Sequence, residues 1–180
     1  MTEKNIHVIL SFEDIIIFRN EENMYDKALI EYLIEFHSKR DYFECHEILE
    51  ERWVQDEIRS VYWTTLIQIA VAMYHYRRKN LEGAEKLFTM ALGKINKNIK
   101  DYTDIGFNAE QLKKQIENAL ANVKDQKPYE SKNLAMTNDL ISACEQECKK
   151  HNIKTFLNIS NMNDERILNR HLPPWRYMEE

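Results

Sequence analysis

The chain has 180 residues, a formal net charge of −5, and only three glycines and three prolines. So few helix breakers favour long helices and exclude the turn-rich layout of a β-sandwich or barrel, and a mildly acidic balance disfavours a nucleic-acid backbone as partner. The sparse, odd set of cysteines (Cys45, Cys144, Cys148), with no secretory signal, predicts reduced thiols in the cytoplasm. The longest apolar run, around Leu66 to Tyr74, is too short to span a bilayer, so no membrane partner is expected.

The N-terminal part of the chain divides into an extension and a first helix. Residues 1–24 contain two short aliphatic runs, 7–10 and 15–18. They fit short strands and an amphipathic helix equally well, because periodicity does not discriminate in runs of this length. The first helix is predicted from about Tyr25 to Ser38. Its apolar face repeats at three- and four-residue spacing and consists of Leu29, Tyr32, Leu33 and Phe36.

Two helices in the middle of the chain are predicted from their caps and apolar faces. The second helix runs to about Val54 from Asp41, an N-cap candidate followed three residues later by Glu44, as in a capping box. The third helix covers about 58–79. From Val61 to Tyr76 it is apolar nearly all round, which is typical of a helix buried at the centre of a bundle.

The basic run at 77–79 ends the third helix, and we expect it to be solvated, because cations suit the negative end of the helix dipole. Asn80 is the predicted N-cap of a fourth helix that extends to about Lys100. A loop is predicted at 101–107. Asn108 then opens a fifth helix, which Pro128 ends.

The C-terminal part, 128–180, is more polar and is predicted to hold one helix, at about 133–150, followed by an extended tail. Cys144, Cys148 and His151 share one face of that helix and are candidate zinc ligands, although thiols on an amphipathic face more often serve packing. Trp175, beside two prolines, is expected to dock on a surface. The predicted division is therefore an extension at 1–24, a helical core at 25–127 and a C-terminal helix and tail at 128–180.

The first two helices and the next two are predicted to be copies of one αα-hairpin. Residues 36–44 overlay residues 74–82. The overlay pairs two polar residues of the second helix with core residues of the fourth. The pairs are His46 with Ala84 and Glu50 with Phe88.

The second helix is predicted to place these polar residues on its inward stripe. At about 100° per residue, its apolar residues fall within roughly 140° of one another. His46 lies near the middle of that stripe, Glu50 inside it and Glu47 at its edge. Gln68 and His75 share a face of the third helix and are expected to converge with them. The predicted buried polar cluster and its surroundings comprise Phe43, His46, Glu47, Glu50, Trp53, Gln68 and His75.

Three interpretations of the cluster remain open. The first is a satisfied polar network, because buried ionisable groups are costly unless they are hydrogen-bonded. The second is a pocket for a small molecule or a peptide. The third is a divalent metal site formed by His46, Glu50 and His75, with Glu47 as a further ligand or base. The zincin pattern is absent, because Glu50 stands where a second histidine would be required.

The run from Arg40 to Trp53 and the helix that follows it resemble a small bacterial and archaeal family called domain of unknown function 309. The resemblance covers roughly residues 25–100 and rests on a Tyr-Phe-Glu-x-His-Glu-x-Leu-Glu-x-x-Trp signature. It implies a compact bundle of antiparallel helices and no established activity. Its signature residues are Phe43, Glu44, His46, Glu47, Glu50 and Trp53, with Gln68 on the third helix.

The sequence as a whole predicts an all-α protein, a compact antiparallel bundle of about five core helices (two αα-hairpin repeats plus one) with a C-terminal helical appendage. Its expected function is that of a soluble binding or regulatory module built round His46 and Glu50, with an unknown small molecule or protein as partner. The alternative is a metal-dependent enzyme, most plausibly a hydrolase, that uses the same residues. A third option is assembly, in which the Trp175 tail docks on a sister chain to form a homodimer.

Overall fold

The computed structural model describes residues 24–170, which fold into an all-α bundle, as predicted; these residues form eight helices. Among these residues the β-structure is limited to one isolated bridge, between Phe107 and Met136. Both the N-terminal extension, up to residue 23, and the Trp175 tail lie outside the described residues. The helices are α1 Lys27–Ile34, α2 Tyr42–Gln55, α3 Val61–Arg77, α4 Leu81–Lys97, α5 Ile99–Asp104, α6 Ala109–Lys124, α7 Asn138–Lys150 and α8 Glu165–Leu168, with a π-helical turn, Glu35–Lys39, continuing α1.

The third helix is the centre of the bundle, as its uniform apolar character predicts. It packs against α2 on one side and α4 on the other, while α6 packs on α4, and α1 packs on both α2 and α7. Because α3 has neighbours on both sides, its buried residues are distributed round the helix: Trp63, Thr65, Leu66, Ile69, Ala70, Ala72, Met73, Tyr74, Tyr76 and Arg77.

None of the helices between residues 24 and 170 is long and apolar enough to cross a membrane.

The two predicted helix starts at Asp41 and Asn80 are confirmed, and they are equivalent. In each case a residue with left-handed backbone precedes the cap, Arg40 at φ 58° and Lys79 at φ 63°. The Asp41 carboxylate accepts from the Glu44 N–H at 3.1 Å, and the Asn80 side-chain oxygen accepts from the Gly83 N–H at 3.0 Å. The predicted capping box is incomplete, because the Asp41 N–H donates to the Glu35 carbonyl instead of the Glu44 side chain.

These caps correct the predicted overlay of the two hairpins. Asp41 and Asn80 are 39 positions apart, one more than the 38 that separates residues 36–44 from 74–82. With the caps superposed, Cys45 and Leu49 match the buried residues of α4, whereas His46 and Glu50 match its exposed ones. The corrected pairs are Cys45 with Ala84, Leu49 with Phe88, His46 with Glu85 and Glu50 with Thr89.

The region predicted to be a loop at 101–107 is partly helical. Tyr102 on α5 is fully buried, and its hydroxyl donates to Thr65 Oγ1 at 2.8 Å, which attaches this short helix to α3. The predicted helix at 133–150 starts later, at Asn138. Residues 135–137 instead pair with 106–108, through hydrogen bonds from Asn108 N–H to Ala135 O and from Thr137 N–H to Gly106 O.

The residues after Pro128 lie along the bundle and contact it near the start of α2. Ser38 Oγ donates to the Thr155 carbonyl at 2.6 Å, and the Asn158 N–H donates to the His37 carbonyl at 2.9 Å. The predicted extended tail contains the short helix α8. A domain boundary at 128 stays a prediction.

Candidate functional site

The polar residues of α2 lie on its solvent side, which corrects the prediction that they are buried. The fully buried positions of this helix are Tyr42, Cys45 and Leu49. The side chain of His46 is 34% exposed, and those of Glu47 and Glu50 are 52% and 55% exposed. The predicted stripe treated all apolar residues of the helix as core residues, although Val54 is 57% exposed. The overlay was also in error by one residue, which is a rotation of about 100°.

His46 is positioned by the two carboxylates. Its Nδ1 lies 2.8 Å from Glu47 Oε1, and its Nε2 lies 3.5 Å from Glu50 Oε2. The first contact is a good hydrogen bond, and the second is at the limit of one. The predicted pairing of His46 with Glu50 is therefore present but weak, and Glu47, predicted to be peripheral, makes the closer contact.

His46 also lines a pocket of about 240 Å³ between α2 and α3. The pocket brings together three of the predicted site residues, Phe43, His46 and His75. The Phe43 and His46 rings lie 6.4 Å apart, centroid to centroid. The remaining lining residues are Tyr42, Val71 and Tyr74. Aromatic and aliphatic groups thus form the pocket, and the carboxylates of Glu47 and Glu50 lie beside it on α2.

His75 shares this pocket but does not join the carboxylates. Its Nδ1 lies 2.9 Å from the Asn80 side-chain nitrogen, an interaction that attaches it to the turn between α3 and α4. Partial burial, and next the positive charge of Arg78, lower the pKa of His75 from its ordinary value. The ring is therefore neutral at pH 7 and can contribute an apolar face to the pocket.

Trp53 and Gln68 were predicted to belong to the site, but they do not line the pocket. Each has a buried polar atom, Trp53 Nε1 and Gln68 Oε1, without a hydrogen-bond partner among the described residues. The Arg59 guanidinium lies 4.6 Å from the centroid of the Trp53 ring, on the face of the indole.

One group of side chains in residues 24–170 has metal-ligand spacing, namely His46, Glu47 and Glu50, whose candidate ligand atoms all lie within 4.8 Å of one another. The predicted set of His46, Glu50 and His75 is not this group. The second candidate set is also not assembled as a site. Cys144 and Cys148 are buried in the core, where burial raises the pKa of the Cys144 thiol to about 12.

A buried polar network does exist, but it surrounds His37, nine positions before His46. His37 is fully buried, its Nδ1 lies 2.9 Å from the Leu33 carbonyl, and the Leu134 N–H donates to its Nε2 at 2.9 Å. A carbonyl can only accept and an N–H can only donate, so these partners fix the neutral Nδ1–H tautomer. Burial lowers the pKa of His37 to about 3.

Arg40 extends the same network and connects α1 to the C-terminal segment. It is 2% exposed, and its guanidinium donates to Lys132 O at 2.7 Å, to Asn133 Oδ1 at 2.6 Å and to Asn158 O. In turn, Arg77 Nη1 donates to the Arg40 carbonyl at 2.7 Å. The contacts of the Arg40 guanidinium link residues more than ninety positions apart in the chain.

Arg77 corrects the expectation that the basic run at the end of α3 is solvated. It is 4% exposed and its guanidinium lies 4.7 Å from the centroid of the Tyr42 ring, a cation–π contact. His37, Arg40 and Arg77 were not predicted as a polar network. The local pattern gave no signal for them, because the network joins these residues to the C-terminal segment, ninety or more positions away in the chain.

A larger groove of about 440 Å³ lies between α1 and α7, beside Met24. It is lined mainly by polar and charged side chains, including Lys27, Glu31, Asp139 and Lys150. None of the predicted site residues borders it. The pocket between α2 and α3 is smaller, but it combines aromatic walls, two imidazoles and adjacent carboxylates, so we take it as the candidate functional site.

Comparison with known proteins places this site in a family. Residues 29–87 match the sequence model of a family described as "Domain of unknown function (DUF309)". The chain is also 40% identical over 130 residues to "Uncharacterized protein YpuF" of Bacillus subtilis (strain 168), an alignment that spans 71% of this chain and 75% of that protein. No solved structure matches significantly. All six pocket residues fall inside the stretch that the family model matches.

Proposed function

The chain belongs to the family of domain of unknown function 309, and from the geometry of its α2–α3 pocket we propose that it is a binding module for a protein partner. The pocket receives one apolar or aromatic side chain of that partner. The observation that carries this proposal is the pocket itself: five aromatic or imidazole rings of the α2 and α3 faces, with Val71, surround a space open to solvent beside two carboxylates.

The size of the pocket favours a side chain over a free cofactor or metabolite. Pockets for small-molecule ligands usually measure about 300–1,000 Å³, whereas this one measures about 240 Å³. A space of this size suits a single large side chain. Buried aromatic anchors of this kind supply most of the binding free energy in many protein interfaces.

The charges beside the pocket determine which residues of the partner can lie next to its anchoring side chain. Glu47 and Glu50 lie exposed one turn apart, and the whole chain carries a net charge of −5. Complementary charge mainly increases the association rate and selects partners, with a smaller effect on affinity. The partner segment is therefore an apolar or aromatic residue flanked by lysine or arginine. His46 borders both parts, with its ring on the pocket and its nitrogens on the carboxylates.

Fluorescence anisotropy with a defined probe tests this function. The probe is a fluorescein-labelled heptapeptide, Ser-Gly-Arg-Trp-Arg-Gly-Ser, and its control replaces Trp with Ala. We expect a Kd between about 10 µM and 1 mM for the Trp peptide, the range of about −7 to −4 kcal/mol, and binding at least tenfold weaker for the control. Val71→Phe fills the pocket and abolishes the difference between the two peptides.

The matched variant for this experiment is Val61→Phe, the same substitution at an exposed position of the same helix, ten residues from Val71 and outside the pocket. It leaves both affinities unchanged. The titrations are run in parallel on the Trp175→Ala chain, in which the chain's own C-terminal indole cannot compete. Equal affinity for the two peptides in both proteins contradicts the proposed function.

A second candidate function is divalent metal binding by His46, Glu47 and Glu50, which is favoured by their mutual distances of less than 4.8 Å. All three ligands come from one exposed turn of α2, so solvent supplies the remaining positions and the affinity is modest. Calorimetric titration with Zn²⁺ tests it. One equivalent of binding that His46→Ala removes supports the metal, and heats equal to those of dilution contradict it.

The hydrolase alternative gains no support. His75, its predicted third ligand, hydrogen-bonds to Asn80 and is not part of the candidate metal group. Cys45, the thiol next to His46 in the chain, is fully buried, and burial raises its pKa well above the ordinary value, so it stays protonated and inaccessible. We keep the cytoplasm as the proposed location, because all three cysteines are free thiols.

A further inference from the structure

The described chain ends at the edge of the α2–α3 pocket. Arg170 donates from Nη1 to Asp41 Oδ2 at 2.7 Å and from Nη2 to Glu44 Oε2 at 2.6 Å. Asp41 immediately precedes Tyr42, and Glu44 immediately follows Phe43, and both of those aromatic residues line the pocket. The Arg170 guanidinium therefore contacts the two residues that flank Tyr42 and Phe43 of the pocket lining.

The segment before Arg170 is also held against the other side of the pocket. Arg77 Nη2 donates to the Ile167 carbonyl at 3.1 Å, and Arg78 Nη1 donates to the Leu168 carbonyl at 3.0 Å. Both arginines lie at the end of α3, directly after the pocket residues Tyr74 and His75. Residues 167–170 thus cross the ends of the two helices between which the pocket opens.

We propose that the occupant of the pocket in the free protein is this chain's own C-terminal segment, residues 171–177, with Trp175 as the anchoring side chain. The proposal rests on the proposed function of the pocket as a receptor for one large side chain. It goes further by assigning a first ligand and a means of regulation. An external partner then binds by displacing the tail.

Reach and stiffness favour Trp175 as the anchor. An extended chain advances at most about 3.3–3.6 Å per residue, so five residues from Arg170 span up to roughly 17 Å, about three turns of helix. Pro173 and Pro174 fix two of the intervening φ angles near −65°, which lowers the entropy lost when the segment is ordered. Leu172 is closer, but its side chain is smaller than the pocket requires.

The chemistry of the segment complements the pocket and its surroundings. The indole of Trp175 provides a flat apolar surface for the aromatic walls, and its N–H provides a donor for a carboxylate at the edge. Arg176 follows directly and supplies a cation for Glu47 and Glu50. This arrangement repeats what Arg170 already does with Asp41 and Glu44, where a basic residue of the C-terminal segment pairs with acids of α2.

Tethering gives the tail an advantage over a free peptide. A segment joined by a short linker is present at an effective concentration in the millimolar range. Against an anchor of intrinsic Kd near 0.1–1 mM, this suppresses binding of an external peptide by up to about tenfold. The tail therefore weakens adventitious binding without preventing displacement by a partner that makes additional contacts.

Fluorine NMR of the full chain labelled with 5-fluorotryptophan tests the proposal. The chain contains three tryptophans, Trp53, Trp63 and Trp175, and Trp175→Phe assigns the third resonance. The reference is a labelled synthetic peptide of residues 168–180. We expect the Trp175 resonance of the full chain to differ from the reference and to move to the reference position in Val71→Phe. In Val61→Phe it stays where it is in the wild type.

A Trp175 resonance at the reference position in the wild type, or one that does not respond to Val71→Phe, overturns the proposal. The same spectra at protein concentrations from 10 µM to 1 mM, with sedimentation equilibrium, separate the chain's own pocket from that of a second copy. We expect a monomer and a constant resonance. If the Trp175 resonance moves away from the reference position only when a dimer forms, the tail binds the pocket of a second copy. That result overturns the proposal that the tail occupies its own pocket.

The heptapeptide titrations distinguish failure of this inference from failure of the proposed function. If the tail competes, Trp175→Ala binds the Trp peptide about two- to tenfold more tightly than the wild type does. Equal and measurable affinity in both proteins overturns the inference and leaves the proposed function standing. If neither protein binds the peptide, the proposed function fails, and the fluorine spectra alone then decide whether the tail occupies the pocket.

Discussion

His37 and His46 lie nine positions apart in one helical hairpin and have opposite environments. His37 has no exposed surface, and both of its nitrogens are occupied by backbone groups of Leu33 and Leu134. His46 is 34% exposed, and its two nitrogens face the exposed carboxylates of Glu47 and Glu50. The first histidine attaches the C-terminal segment to the bundle. The second borders a pocket and contributes little to holding the fold together.

This contrast shows where polar groups of the chain are structural. A buried hydrogen-bond donor or acceptor stabilises the fold only when its partner is held in place opposite it. A buried group left without a partner lowers the free energy of unfolding by about 1–3 kcal/mol. The groups around His37 and Arg40 meet backbone atoms and the side-chain oxygen of Asn133, all held in place by the fold. The groups around His46 meet flexible carboxylates that can exchange one partner for another, which is the property that a binding site requires.

The largest expected effect is that of Arg40→Ala. The variant leaves three fixed acceptors, on Lys132, Asn133 and Asn158, without their donor, and we expect the free energy of unfolding to fall by about 3–5 kcal/mol. The measurement is urea denaturation at pH 7. Arg59→Ala is the control, because Arg59 shares the left-handed backbone but is exposed, and its loss costs less than about 1 kcal/mol. Equal losses would mean that Arg40 is not structural.

The next effect is a dependence of stability on pH that originates at His37. Its pKa is about 3 in the folded chain and the ordinary 6.5 when unfolded, so between these values only the unfolded state binds the proton. Stability is therefore fully present above pH 6.5 and decreases as the pH falls, by about 2 kcal/mol between pH 7 and pH 5. Urea titrations of the wild type and His37→Gln at both pH values measure it. The variant loses this component, and an identical decrease in both proteins would contradict the assignment.

A smaller effect is expected where the two regions meet, at Tyr42. Its ring lines the pocket, and its hydroxyl lies 2.7 Å from the Tyr129 hydroxyl in the C-terminal segment. Tyr42→Phe removes this hydrogen bond and should cost about 1 kcal/mol, because Tyr129 keeps Ser160 Oγ as a second partner. A double-mutant cycle with Tyr129→Phe isolates the pairwise contribution. A coupling free energy near zero would mean that the Tyr42–Tyr129 hydrogen bond does not link the pocket to the C-terminal segment.

The smallest effect on stability is expected for the carboxylates beside the pocket. Glu47→Gln and Glu50→Gln change the unfolding free energy by less than about 0.5 kcal/mol, because both side chains are more than half exposed. The same variants weaken binding of the arginine-containing heptapeptide about threefold each at low salt, by loss of charge complementarity. A decrease of about 2 kcal/mol or more in the free energy of unfolding would mean that these carboxylates help to hold the fold together, as His37 and Arg40 do.

Much of the fold was predictable from the sequence, because long apolar periodicities and helix caps are local signals. The caps Asp41 and Asn80 and the central position of α3 are confirmed. The short helix α5 was missed, because Tyr102 is buried through a tertiary contact with Thr65 that the local pattern does not contain. The start of α7 was placed too early for a similar reason, since residues 135–137 pair with a distant part of the chain.

The site was predicted only in part, and the reason is geometric. Phe43, His46 and His75 do meet at one pocket, because their spacing places them on facing helices. The burial of His46 was overestimated for two reasons. Partly exposed apolar residues such as Val54 were counted as core, and an overlay in error by one position, a rotation of about 100°, exchanged Cys45 for His46 on the core face. The network around His37 could not be predicted from periodicity, since its contacts to the C-terminal segment join residues more than ninety positions apart in the chain.

The most direct test of the central claim, that His37 is structural and His46 belongs to a binding site, is the unfolding free energy of two matched variants. His37→Gln and His46→Gln make the same chemical change nine positions apart, and each is compared with the wild type by urea denaturation at pH 7. The account predicts a loss of about 2–3 kcal/mol for His37→Gln and less than about 0.5 kcal/mol for His46→Gln. Equal losses, or a larger loss for His46→Gln, would contradict it.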